Sequence, residues 1–93
     1  MIRSFRGRHV EAVARGVAPK GFPTDLLRSA QRRLAAIEAA TGLDDLRVPP
    51  GNRLEKLSGD RAEQHSIRIN DQWRICFRWV DGAAEDVEIV DDH

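Results

Sequence analysis

Residues 66–79 read SIRINDQWRICFRW, and no other stretch constrains the fold as tightly. Apolar side chains recur at every second position, the period of a strand with one buried face. Ile67, Ile69, Trp73, Ile75, Phe77 and Trp79 share that face in one hairpin register. Ile69 then opposes Trp73, Ile67 opposes Ile75 and His65 opposes Phe77, leaving Asn70, Asp71 and Gln72 as the loop. A slip of one residue would turn the whole apolar set toward water. The same register sets Arg68 against Arg74 and Gln64 against Arg78. Two arginines directly across a ladder repel, at a cost under about 1 kcal/mol at an exposed site. Compensation is therefore expected.

The next strand candidate is Glu85–Val90, after an Asp81-Gly82 turn signal. In either plausible register Val87 and Ile89 share the parity of Phe77 and Trp79. Arg78 then opposes Asp86 or Glu88, and Arg74 opposes Val90 or Asp92. Arg78 is thus expected to be neutralised within the sheet, whereas Arg68 has no obvious local acid. The charge distribution has the same slant. Residues 81–93 carry six acids and no Lys or Arg, while residues 1–80 carry all 15 basic residues and nine acids. A basic body with an acidic tail fits a polyanion-binding surface, or internal neutralisation of one strand by another.

Ahead of the strands the period changes. Val10, Val13 and Ala14 fall on one face of a short helix over His9–Arg15. After the break VAPKGFP, Thr24 can cap a second helix and Asp25 suits its first turn. Leu27, Ala30, Leu34 and Ile37 form the stripe that helix buries, with Arg28, Arg32 and Arg33 off it. Gly42 is a natural stop. Met1–Phe5 reads as a short strand, Asp44–Asn52 as a loop, Arg53–Leu57 as a strand and Ser58–Glu63 as a turn. Helices followed by strands predict an α+β domain: two N-terminal helices packed on a small antiparallel sheet, one domain over 1–93.

Several function classes drop out. One cysteine, Cys76, cannot form an internal disulfide and reads as a small strand residue. No apolar run suits a membrane helix, and MIRSFRGRHVEAVARG has no apolar segment of the secretory type, so a cytoplasmic protein is expected. Tyr is absent and both Trp side chains are expected in the core, which argues against a base-stacking platform. His9, His65 and His93 lack ligand-like spacing. His65 falls on the core-facing parity.

The block NRLEKLSGDRAEQHSIRINDQWRICFRW, with EDVEIVDDH following, resembles the HigB branch of the RelE/ParE toxin superfamily. The resemblance extends to the MIRSF start and the long helix before a Pro-Gly loop. It implies a RelE-like fold and a toxin of a type II toxin–antitoxin system, neutralised by a helix-turn-helix antitoxin through which alone it meets operator DNA. It further implies cleavage of mRNA in the ribosomal A site by the message's own 2′-hydroxyl, with no metal or cofactor and no membrane.

That chemistry needs a base for the 2′-hydroxyl, an acid for the 5′-leaving oxygen and cations for the phosphate. Arginine stays protonated and suits the last role. Arg74 matches the family's strand arginine in its W-R pattern, Arg78 matches its partner further along, and Arg68 belongs to the same positive surface. Lys56 and Arg53 join the phosphate-binding candidates. His93 matches the terminal histidine of the usual D-Y-H ending and is the acid/base candidate. Asp92 replaces the usual tyrosine, lies at the parity of the arginine face and is placed to pair with Arg74. Glu55 and Ser58 stand where the family often has histidine and lysine, and Glu55 can serve as a base. The Asp92 replacement keeps an alternative open: a non-enzymatic or attenuated toxin, acting as a ParE-like gyrase inhibitor or mainly as an antitoxin-binding protein.

Overall fold

The helical stripe and the strand alternation bury their apolar residues against each other. A computed structural model describes residues 1–91, so the expectations for Asp92 and His93 lie outside the described residues. Two helices, α1 (Arg8–Ala14) and α2 (Leu27–Ala39), precede four strands in sequence: β1 (Glu55–Lys56), β2 (Gln64–Arg68), β3 (Trp73–Val80) and β4 (Ala83–Asp91). The strands form one antiparallel sheet in the order β1-β2-β3-β4. The α+β expectation holds at that level. Among the described residues no helix is long and apolar enough to cross a membrane.

The core is the one the two periods demand. Ala30, Leu34 and Ile37 of α2 and Val10 and Val13 of α1 are buried with Ile67, Trp73, Ile75, Phe77, Val87 and Ile89 of the sheet. Leu27, also on the α2 stripe, is half-buried. Phe22, from the break between the helices, meets Trp73 edge-on at 5.0 Å. Ala14 is exposed instead of buried, because α1 ends there. Trp79 is half-buried, being near the β3–β4 turn where the core thins.

The β2–β3 register is the expected one: Gln64 pairs Arg78, His65 pairs Phe77, Ile67 pairs Ile75 and Arg68 pairs Arg74. Strand β2 stops at Arg68, short of the loop expected at Asn70, because the Asn70 carboxamide folds back to accept the N–H groups of Gln72 and Trp73. Strands β3 and β4 meet in a two-residue turn in which Asp81 and Gly82 both have positive φ, 50° and 77°.

Local signals failed at both ends of α2. Thr24 makes no side-chain cap; a 3₁₀ turn, Thr24–Leu26, leads into the helix. Gly42 does not terminate it either. The chain leaves the helix at Ala40 in an extended conformation. Gly42 is itself extended, at φ −140°, and opens a second 3₁₀ turn, Leu43–Arg47. There the Asp45 carboxylate accepts the N–H groups of Thr41 and Gly42, and those two bonds hold its pKa below the usual carboxylate range.

Two features shape the far side of the sheet. The N-terminal segment lies along the open edge of β4, in parallel bridges of Ile2 with Ala84 and Phe5 with Val87. Arg3 N–H donates to Ala84 O at 2.7 Å and Arg6 N–H to Val87 O at 2.9 Å. Between Cys76 and Arg78 the β3–β4 register shifts by one residue. Asp86, with φ 52°, takes up the extra residue as a β-bulge.

Candidate active site

The arginine face is only partly open to water. The connection from β1 to β2, with its 3₁₀ turn Gly59–Arg61, folds across it. Ser66 and Cys76, whose parity is that of the arginines, are 0% and 2% exposed. A cleft of about 220 Å³ remains between this connection and the sheet, lined by Leu57, Ser58, Arg61, Arg74, Cys76 and Val90.

Arg74 is the centre of the cleft. Its place on β3 follows from the hairpin register, opposite Val90 on β4 as expected. Its guanidinium reaches back across β2, where Nη1 donates to Ser66 Oγ at 3.0 Å. The same nitrogen lies 3.5 Å from Glu55 Oε2 on β1. Glu55 pairs directly with Ser66 in the β1–β2 ladder, which explains why it meets an arginine one strand further on. A cation and a half-exposed carboxylate thus stand side by side at the cleft.

The other two arginines are occupied differently. Arg78 lies opposite Glu85, with the bulge bringing Asp86 beside it. Its Nη1 is 3.5 Å from Glu85 Oε1 and 3.3 Å from Asp86 Oδ2. Internal neutralisation was expected with Asp86 or Glu88 opposite Arg78. Asp86 is indeed a partner, but the bulge puts Glu85 directly opposite and leaves Glu88 opposite Cys76. Arg68 does have a local acid: it pairs with Asp71 in the hairpin loop, which strand parity could not reveal.

Sequence reasoning missed Arg61. From its turn it donates Nη1 to Glu88 Oε1 at 2.6 Å and to Gln64 Oε1 at 2.8 Å. The bond to Glu88 raises its pKa further above the ordinary guanidinium value. The sequence carried no clear signal for it, since Glu88 could be read as the residue opposite Arg78. In the structure Glu88 lies opposite Cys76 and its cation comes from a loop.

Lys56 and Arg53 do not join this group. Lys56 pairs with His65, one parity away from Glu55, and so belongs to the other face. Arg53 is exposed in a left-handed conformation before β1 and does not line the cleft. His65 packs as expected, its ring stacked on Phe77 at 6.2 Å. Burial, and secondarily the Lys56 charge, lower its pKa.

A fixed guanidinium can hold a phosphodiester, and a carboxylate beside it can take a proton from a neighbouring hydroxyl. Residues 9–93 match a family described as the RelE-like toxin of type II toxin-antitoxin system HigB. The chain belongs to that family. It is 30% identical over 93 residues to a Proteus vulgaris protein described as Endoribonuclease HigB, covering all of both chains. It is 45% identical over 63 residues to Toxin HigB-1 of Vibrio cholerae serotype O1, a segment spanning 68% of this chain and 66% of that protein. Membership in a type II family implies an antitoxin partner.

Proposed function

We propose that the chain is a ribosome-dependent mRNA endonuclease acting in the cytoplasm. It binds in the ribosomal A site and cuts without a metal, the message's 2′-hydroxyl attacking the adjacent phosphate and the 5′-oxygen leaving. The observation that carries this reading is Arg74, held by Ser66 at the wall of a cleft with Glu55 3.5 Å away. Arg74 stabilises the charge that builds on the phosphate oxygens. Glu55 takes the 2′-hydroxyl proton once the phosphate displaces it from Arg74. His93 protonates the leaving oxygen. A helix-turn-helix antitoxin neutralises the toxin and carries it to operator DNA.

The test is expression with the antitoxin withheld, followed by mapping of message 5′ ends. New ends within translated codons are expected. Growth arrest without them overturns the reading.

One observation favours a second reading, an attenuated toxin that chiefly binds its antitoxin. The cleft arginines already have carboxylate partners, Glu55 for Arg74 and Glu88 for Arg61. Under it, Asp92→Tyr leaves cleavage absent. A sharp rise in RNA cutting by that variant returns the assignment to the nuclease.

A further inference from the structure

Arg61 is the second cation of the cleft, and Arg78 is not. Arg61 lines the cleft with Arg74, whereas Arg78 lies outside it with two carboxylates on its Nη1. Arg61 arrives there by a different route from the strand arginines. It sits on the 3₁₀ turn after β1 and reaches over the sheet to β4. A guanidinium has five N–H donors, two of them on Nη1. Nη1 meets Gln64 and Glu88; among the described residues Nε and Nη2 donate to nothing. The Glu88 side chain is only 16% exposed, so its carboxylate is a fixed anchor. Arg61 itself is 42% exposed, with its remaining donors in reach of a ligand. The ion pair therefore orients the fork without consuming it, since a planar guanidinium held on one nitrogen still presents an edge that matches two phosphate oxygens.

We propose that Arg61 contacts a phosphate of single-stranded RNA in this cleft, with Glu88 as the residue that positions it. The proposal rests on the nuclease reading for its ligand class.

The test is a fluorescence titration of the full chain with a short 2′-O-methyl oligoribonucleotide, which cannot be cut, at a series of salt concentrations. Removing one phosphate-binding cation lowers the slope of log affinity against log salt by about 0.7 for a single strand. Arg61→Gln is expected to show that reduction. Arg47→Gln, an equal charge change at an exposed arginine outside the cleft, is expected to keep the wild-type slope. A wild-type slope in Arg61→Gln, or a wild-type chain that binds no RNA, overturns the proposal.

Arg61 also ties the turn to β4, so far-UV circular dichroism accompanies each titration. If Arg61→Gln does not fold, Arg61→Lys decides. It keeps the charge and the reach to Glu88 but loses the fork. Several-fold weaker binding at an unchanged slope supports the phosphate contact, and wild-type binding overturns it. Message cleavage on ribosomes is followed in parallel. A wild-type chain that binds RNA in this way but never cuts removes the nuclease reading and leaves Arg61 in place. A chain that cuts while Arg61→Gln keeps its slope does the reverse.

Discussion

Arg68 and Arg74 stand directly opposite each other across the β2–β3 ladder, and each has a carboxylate partner of its own. Arg68 turns to Asp71 in the hairpin loop, and Arg74 turns across β2 to Glu55. The repulsion built into the register is offset by a separate carboxylate on each guanidinium. Asp71→Asn should expose it again. The expected loss, read from urea melts, is under about 1 kcal/mol. It should shrink in high salt, where the charges are screened. In an Arg68→Thr background Asp71→Asn should cost nothing further. A loss that persists there assigns Asp71 a turn-forming role instead.

Arg74→Gln tests the centre of the cleft. The glutamine keeps a polar side chain on the same face as Ser66, so the fold should persist by circular dichroism. Loss of one preorganised charge-stabilising group typically costs roughly 10²–10³ in rate. Single-turnover cleavage of ribosome-bound message should fall by that factor. A change of less than about threefold, far below that typical cost, would remove Arg74 from the chemistry.

His65 sets a pH dependence with a definite sign. Burial lowers its pKa in the folded state, so below about 6.5 the unfolded chain takes up a proton that the folded chain resists. Stability therefore falls as pH drops from about 6.5 toward the lower folded pKa and is unaffected by this group above it. His65→Phe keeps a ring against Phe77 and removes the titration. Thermal melts between pH 5 and pH 8 should show the wild-type chain losing more stability than the variant on the acid side. Parallel profiles would rule out His65 as the source.

Gly82 follows Asp81 in a turn where both have positive φ. A Cβ at Gly82 would come no closer than 4.0 Å to Thr41 O, so space is not the obstacle. Gly82→Ala should cost roughly 1–2 kcal/mol for the left-handed backbone alone. Gly82→Asn should cost less, since asparagine tolerates that region. Melting temperatures in that order, Gly above Asn above Ala, check the argument.

Much of the sheet was legible because strand parity is a two-state property. Once Ile67, Ile75 and Phe77 must face the helices, the places of Arg68, Arg74 and Gln64 follow. The α2 stripe was legible for the same kind of reason. What parity could not supply was anything in a loop. Asp71 reaches Arg68, and Arg61 reaches Glu88, from turns whose side-chain directions have no period. The bulge at Asp86 was hidden because asparagine or glycine, the usual residues there, is absent. It moved the acids opposite Arg78 by one place. Thr24 and Gly42 carried capping signals that their neighbours overrode, the first through a 3₁₀ turn and the second through the carboxylate of Asp45. Which residue of β1 faces the arginines was not legible, because the strand is only two residues long, too short for alternation to show it.

The N-terminal segment along β4 bears on how the toxin comes into being. Arg3 is joined to Glu85 by a 2.7 Å ion pair across a separation of 82 residues, and the main-chain bonds beside it span similar distances. Contacts so remote in sequence close late, after the loop entropy between them has been met. On a translating ribosome, the early segment must wait for residues some 80 positions downstream before its edge of the sheet is sealed. The cleft uses the same late material, since Val90 lines it and Glu88 anchors Arg61. A chain interrupted before β4 would therefore hold every lysine and arginine of the protein but lack the finished cleft.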